Sequence, residues 1–140
     1  MLLDRFGRRL ARWLNHPRAS ESRVGTSDPK ALAATIRPGD VLLIEGSSRI
    51  SSAIKYLTQS SWSHSTLCIA PPQPGAPTDR EPLILLEVDV SEGVRLVPLS
   101  RYASQHTRIC RPVGLSAEEI NSVIGLSVAR VGHSYDMKNI

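Results

Sequence analysis

The sequence predicts an α+β fold, a small antiparallel sheet or open barrel packed on helices, and three observations lead to that prediction. Short runs of Leu, Ile and Val are separated by Pro, Gly and Ser, a pattern typical of short strands joined by turns. Other segments repeat apolar residues at helical spacing. The length of 140 residues and the 41% hydrophobic content suit one domain with an aliphatic core, since aromatic residues make up only 4%.

The first elements of the fold are predicted between residues 37 and 70. A turn, Arg37-Pro38-Gly39-Asp40, leads into a buried strand at Val41–Ile44. Ser47 or Ser48 can cap the helix that follows. The inward stripe of that helix is predicted to contain Ile50, Ala53, Ile54 and Leu57. A second strand is predicted over residues 62–70, with His64 in its middle.

The second half continues the sheet and closes with a helix. A Pro-rich surface loop over residues 71–82 precedes a third strand at 83–90, and Ser91-Glu92-Gly93 forms a tight turn into a strand at 94–97. A short helical segment at 99–104 and a strand at 107–112 follow. The capping-box sequence Ser116-Ala117-Glu118-Glu119 then starts a helix, which Gly132 can end. Its apolar stripe is Ile120, Val123, Ile124, Val128 and Val131.

Residues 1–18 are predicted to form a basic amphipathic helix. One stripe carries the apolar side chains and the opposite face carries arginines. Such a helix suits either an anionic membrane surface or packing against the domain or a partner, and both alternatives stay open. The stripe contains Leu2, Leu3, Phe6, Leu10, Trp13 and Leu14. Residues 19–30 are predicted to be a linker and residues 31–140 the folded domain.

Charge and cysteine content exclude several classes of function. The net charge is +4, but five arginines lie in the first eighteen residues without interleaved aromatic platforms, so we predict no nucleic-acid partner. Cys68 and Cys110 cannot make a disulfide framework and lack the paired spacing of a zinc site. No cofactor and no metal are therefore predicted. No apolar stretch is long enough to span a bilayer, which predicts a cytoplasmic protein, either soluble or peripheral at the membrane.

Five short motifs occur in a characteristic order along the chain. They are Pro38-Gly39-Asp40-Val41, Trp62-Ser63-His64-Ser65, Leu86-Glu87-Val88, Gly93-Val94 and Gly132-His133-Ser134-Tyr135-Asp136. This order resembles the permuted papain-like hydrolases, NlpC-type enzymes of the YiiX-like kind, over about residues 36–136. The resemblance implies a circularly permuted papain-like fold and cysteine-dependent hydrolysis of an amide. In that family a histidine lies on a strand after a Gly-Asp turn, a polar residue on the next strand orients it, and the cysteine comes last, at a helix start.

His64 and Glu87 match the first two of these positions. A cysteine attacks a carbonyl as thiolate, which needs an imidazole to take its proton, and His64 suits that role. Glu87 on the adjacent strand would bind the ring nitrogen that faces away from the sulfur. The alternative for His64 is a buried structural histidine, and for Glu87 a solvated residue or a partner of an arginine. Asp40 and Asp89 are interpreted as a turn former and a surface carboxylate.

Neither cysteine of the chain is predicted to be the nucleophile. Cys68 lies four residues from His64 on one strand, about 13 Å away, whereas a catalytic pair needs roughly 3 to 4 Å. Cys110 lies in a predicted strand, where no helix N-terminus lowers its pKa, and it comes too early for the family order. The expected cysteine would follow residue 140. We therefore expect either a partial domain truncated before its nucleophile or a short relative that kept the fold without catalysis.

The predicted function is cysteine-dependent hydrolysis of an amide or acyl bond, with a peptide, peptidoglycan-like or lipid substrate. Two alternatives remain. A lipid-directed acyl hydrolase or acyltransferase would use the N-terminal helix to reach a membrane surface. A non-catalytic binding module would keep the cleft without the chemistry.

Overall fold

The computed structural model describes residues 28–73 and 81–134, and these residues form an α+β fold. The predicted fold class is confirmed. The described helices are α1 (Pro29–Thr35), α2 (Arg49–Thr58) and α3 (Ala117–Val128). The described strands are β1 (Val41–Ile44), β2 (His64–Cys68), β3 (Leu83–Asp89), β4 (Gly93–Pro98) and β5 (Thr107–Cys110), with a 3-10 turn at Leu99–Tyr102.

The five strands form one antiparallel sheet in the order β4-β3-β2-β1-β5. Ile44 of β1 pairs with His64, and Leu86 of β3 pairs with Leu67. Continuing that register by one residue sets Glu87 opposite Thr66 and diagonal to His64, on the same face of the sheet. The topology therefore brings the two candidate site residues together across one strand boundary.

The core lies on the face of the sheet that also carries His64 and Glu87. It is aliphatic, as the composition predicts, with Tyr102 as its aromatic member. Helix α1 and the 3-10 turn cover this face, and burial of their apolar side chains excludes water from it. The buried members are Leu32, Ile36, Leu42, Ile44, Cys68, Ile84, Leu85, Val97, Leu99 and Tyr102.

Helix α1 is an element that the sequence interpretation missed. Asp28 caps it by accepting a hydrogen bond from the amide of Lys30 at 2.9 Å, and Pro29 occupies the first helical position. The predicted domain start at residue 31 falls inside this helix. Residues 1–27, which contain the predicted amphipathic helix and most of the linker, lie outside the described residues.

Strand β2 is shorter than predicted, and His64 is its first residue rather than its middle. The reason is the length of its partner, because β1 has only four residues and its ladder ends at the pair Ile44–His64. His64 consequently stands at the end of the sheet, where a loop and a helix can reach it. Strand β5 likewise ends at Cys110, two residues earlier than predicted.

Helix α2 begins at the predicted cap, Ser48, but its inward stripe is wrong at Ala53 and Leu57. Leu57 is 79% exposed, whereas Ile50 and Ile54 are half-buried and Ser51 is buried. Burial is confined to the first half of this helix because its second half runs past the packed surface. The buried half is the part that borders the candidate site.

Helix α3 has the predicted capping box, with Ser116 and Glu119 exchanging hydrogen bonds, but its predicted stripe is largely exposed. Only Ile120 and Ile124 of that stripe are half-buried. The helix ends at Val128, and Gly132 follows in a turn with a φ of +88°. Among the described helices, none has the length and apolar content needed to cross a membrane.

Asp40 is a buried anchor rather than only a turn former. It is 1% exposed and accepts hydrogen bonds from Arg111 Nε at 2.8 Å and from the Arg37 amide at 2.8 Å. Burial raises the pKa of Asp40, but these bonds outweigh it and hold the pKa below its usual value. Asp89 is also not a free surface carboxylate, because its Oδ1 accepts bonds from Ser91 and Glu92 and closes the β3–β4 turn.

Candidate active site

His64 and Glu87 form a hydrogen-bonded pair at one end of the sheet. The Nε2 atom of His64 lies 3.2 Å from Oε2 of Glu87. An ionised carboxylate can only accept, so this bond places the proton of a neutral imidazole on Nε2. Nδ1 is then the ring nitrogen with a lone pair, the form that a general base requires.

Glu87 is 2% exposed, and it follows three buried apolar residues of β3. Three donors compensate for its burial: His64, the hydroxyl of Tyr102 on Oε2, and Nε of Arg95 at 2.7 Å from Oε1. Burial alone would raise the pKa of Glu87, but these bonds outweigh it and lower the pKa to about 2. The carboxylate is therefore a fixed anion near neutral pH. Glu87 is therefore not a solvated residue, and its carboxylate binds both the histidine and an arginine.

Arg95 and Tyr102 are site residues that sequence reasoning missed. Arg95 lies directly opposite Glu87 in the β3–β4 pair. The predicted turn at Ser91-Glu92-Gly93 set Glu87 opposite Val97 instead, because the observed turn begins one residue earlier, after Asp89. Tyr102 comes from the 3-10 turn, thirty-eight positions after His64 in the numbering, and no local pattern pointed to it.

The pair forms part of the wall of an open cleft of about 460 Å³. The other walls come from the start of α2, from the β3–β4 turn and from the segment after β4. The lining of the cleft combines serine hydroxyls, charged groups and aliphatic side chains. The lining includes Ile44, Gly46, Ser47, Ser48, Ser51, Ile54, Ser63, Val88, Asp89, Arg95, Arg101 and Gln105.

The serine wall of this cleft is tightly packed around Gly46. The amide of Gly46 donates to Oγ of Ser63 at 3.0 Å, and the hydroxyls of Ser48 and Ser51 lie 2.8 Å apart. A Cβ atom at position 46 would lie 2.3 Å from Oγ of Ser51. A side chain at position 46 would therefore displace the Ser51 hydroxyl from this wall.

Neither cysteine lies beside His64. Cys68 is fully buried, donates to the carbonyl of Ala70 at 3.3 Å, and has a pKa that burial raises to about 11. Cys110 is exposed and pairs with Val41, at the end of β1 away from the residue that pairs with His64. Three residues along and two strands across correspond to about 14 Å. Within the described residues, no thiol lies near the pair formed by His64 and Glu87.

The described residues contain no group of three or more His, Cys, Asp or Glu side chains that could hold a metal ion. No curated protein matches the chain closely enough to be named as a relative. A family model does match, over residues 35–140, and its description is permuted papain-like amidase enzyme, YaeF/YiiX, C92 family. The match covers most of the chain, which therefore belongs to this family of permuted papain-like amidases.

Proposed function

We propose that this chain carries the general base and its orienting carboxylate, His64 and Glu87, of a cysteine-dependent amidase. The observation that carries the proposal is the 3.2 Å bond between Nε2 of His64 and the buried, ionised Glu87 at the wall of an open cleft. A surface histidine needs no such partner. A carboxylate held by three donors is expensive to bury, which favours a functional role for the pair.

The nucleophile in this proposal is a cysteine thiol supplied by polypeptide after residue 140. Nδ1 of His64 takes the proton of that thiol, and the sulfur attacks the carbonyl carbon of the substrate amide. The carbon–nitrogen bond breaks as the imidazolium returns the proton to the leaving amine. Water, deprotonated by the same nitrogen, then hydrolyses the thioester and releases the acid and the thiol. Glu87 stabilises the imidazolium in both steps.

The substrate we propose is a peptide or a peptidoglycan-like amide. The cleft offers hydroxyls from Ser47 and Ser63 and a guanidinium from Arg101, groups that match the carbonyl and N–H groups of an amide backbone. The aliphatic lining between them suits short side chains. Its volume of about 460 Å³ suits a segment of a few residues.

Activity of an extended chain is the test of this proposal. A version that continues past Ile140 to a downstream cysteine should hydrolyse amide substrates, and His64→Ala should lower kcat/KM by at least about a hundredfold. Glu87→Gln should lower it less, by about tenfold to a hundredfold, because the imidazole remains but loses its charged partner. Cys68→Ser and Cys110→Ser are the matched controls and should retain activity. An extended chain whose activity survives His64→Ala would refute the proposed base.

A peripheral membrane contact through residues 1–18 is a second proposal. It is supported only by the sequence pattern of an apolar stripe opposite an arginine face. The contact would bring the cleft near a surface where lipid acyl bonds are available. The proposed amidase function does not depend on this membrane contact.

A further inference from the structure

The hydroxyl of Tyr102 contacts the same carboxylate oxygen as the catalytic candidate His64. Both donors reach Oε2 of Glu87, while Oε1 is held by Arg95. Because Glu87 is 2% exposed, water cannot take over from either donor. The direction in which Oε2 points is therefore decided by protein groups alone.

Arg95 and Tyr102 differ in how firmly each can hold an oxygen of Glu87 in place. Arg95 holds Oε1, but it also pairs with Glu92 and lies 3.7 Å from Asp89, so its position is shared among three carboxylates. Tyr102 is 5% exposed and its ring belongs to the core, so the location of its hydroxyl is set by packing. Its ring centroid lies 6.1 Å from that of His64. The hydroxyl is thus the rigid reference point for Oε2.

We infer that Tyr102 is a positioning residue, whose hydroxyl holds Oε2 of Glu87 where it accepts the Nε2–H bond and so orients the imidazole of His64. The inference depends on the proposed function, since it gives His64 the role of base. A neutral hydrogen-bond donor suits the contact with Oε2 of Glu87. A cation on Oε2 would cancel the charge that stabilises the imidazolium, whereas a phenol fixes the oxygen and leaves its charge in place.

The chemistry of the phenol supports the assignment. Burial and the adjacent carboxylate raise the pKa of Tyr102, so the hydroxyl stays protonated and keeps donating across the working pH range. Arg101 lies against the Tyr102 ring, 6.0 Å from its centroid, and 3.7 Å from Oε1 of Glu87. Arg101 therefore adds a second cation near Oε1, the carboxylate oxygen that does not bind His64.

The test is NMR of the His64 ring in the full chain, with isotope-labelled histidine and assignment through His64→Gln. In the wild type, the Nε2 proton should be visible and should exchange slowly with water. Tyr102→Phe keeps the buried ring and removes one oxygen. We expect exchange of the Nε2 proton to become about tenfold faster or more, the effect of losing one hydrogen bond to a charged group. The matched control is Tyr56→Phe, which removes a hydroxyl from a residue that is 77% exposed and should change nothing.

A folded Tyr102→Phe protein with an unchanged His64 ring would show that Tyr102 only fills the core, and would overturn the inference. If this variant does not fold, a fluorotyrosine placed at position 102 retains the packing and makes the hydroxyl a stronger donor. The Nε2 proton resonance of His64 should then shift, and an unmoved resonance would also overturn the inference. The readout is independent of hydrolysis, so the positioning role and the proposed function can fail separately.

Discussion

Glu87 shows how a single residue couples the fold to the candidate chemistry. A carboxylate buried this deeply is tolerated only because Tyr102 and Arg95 donate to its two oxygens. The same arrangement keeps it ionised and ready to accept from His64. The stability of the fold and the proposed role of His64 therefore both depend on the charge of Glu87, and a change of pH tests that charge.

Acid should remove the stabilisation that Glu87 provides. Its pKa is about 2 in the folded protein, below its ordinary value of 4.5. The contribution is therefore present in full above about pH 4.5 and is lost as the pH falls toward 2. Glu87→Gln should lower the free energy of unfolding at neutral pH by about 1.5 to 3 kcal/mol, the range for hydrogen bonds to a charged group.

Chemical denaturation from pH 7 to pH 2.5 measures this difference. The wild type should lose most of its advantage over Glu87→Gln at the acidic end, because pH 2.5 is well below the ordinary pKa of 4.5 and close to the folded-state pKa of about 2. Asp40→Asn serves as the comparison, since Asp40 also has a lowered pKa but lies in a different cluster with Arg111. A constant gap between wild type and Glu87→Gln at every pH would mean that the charge of Glu87 does not stabilise the fold.

Among the elements, those defined by local signals were predicted well and those defined by partners were not. The strand Val41–Ile44, the Ser48 cap and the Ser116–Glu119 capping box are dictated by neighbouring residues in sequence. The end of β2 depends on the length of β1, and the exposed half of α2 depends on where the sheet stops. Helix α1 was missed although Asp28-Pro29 is a start signal, because its seven residues are too few for a clear periodic stripe.

The turn after α3 is attached to the edge of the sheet, and Gly93 makes that attachment possible. The amide of Val94 donates to the carbonyl of His133 at 2.9 Å, and the amide of Gly132 donates to the carbonyl of Val94 at 2.8 Å. Gly93 has a φ of +75°, and a Cβ there would lie 2.1 Å from the carbonyl oxygen of His133. Backbone fills the space that any side chain would need.

Gly93→Ala should destabilise the protein by at least about 2 kcal/mol, from positive-φ strain and a backbone clash together. Gly114→Ala isolates the strain, because Gly114 also has a positive φ but nothing lies within 4 Å of its added Cβ. Gly125→Ala, in the open middle of α3, should instead stabilise by up to about 1 kcal/mol. Thermal unfolding of the three variants gives the comparison. Equal losses for Gly93→Ala and Gly114→Ala would indicate that the α3 turn can shift away at little cost.

Residues 1–18 give a prediction at the level of an element that is still defined by sequence alone. The apolar stripe and the arginine face should bind vesicles that contain anionic lipid, and the binding should weaken as salt rises because the charge attraction is screened. Co-sedimentation of the full chain with anionic and neutral vesicles measures this. Deleting residues 1–18 should abolish the binding, and binding unaffected by that deletion would assign the contact to another surface.

At the scale of the whole molecule, only the candidate site residues that lie within the five ordered motifs could be predicted from the sequence. The order of the Gly-Asp turn, His64 and Glu87 identified the pair, because each lies in a short segment with its own signature. Arg95 was missed because the predicted hairpin turn began one residue late, whereas Tyr102 and Gly46 had no local signal. They join the site through packing between separated elements, and such contacts leave no periodic mark on the sequence.

The described parts of the chain hold both cysteines away from the base, and this separation decides the last prediction. The 140-residue chain should have no thiol-dependent hydrolase activity, because covalent catalysis needs a thiol within hydrogen-bond reach of Nδ1 of His64. Cys68 is buried with a pKa of about 11, so it should resist a thiol-reactive probe near neutral pH. Cys110 is exposed and should label slowly, at the rate of an unactivated thiol.

Labelling with an iodoacetamide-type probe, followed by peptide mass analysis, compares the wild type with Cys68→Ser, Cys110→Ser and His64→Ala. Slow modification of Cys110, unchanged in His64→Ala, is the expected result, and Cys110→Ser should abolish most of the labelling. The sheet register supports that result, since Cys110 pairs with Val41 while His64 pairs with Ile44, and the two ends of a four-residue strand separate them. Fast labelling of Cys110 that disappears in His64→Ala would place the nucleophile on β5. In that case the imidazole of His64 would have to reach Cys110, and it could not keep the position in which it binds Glu87.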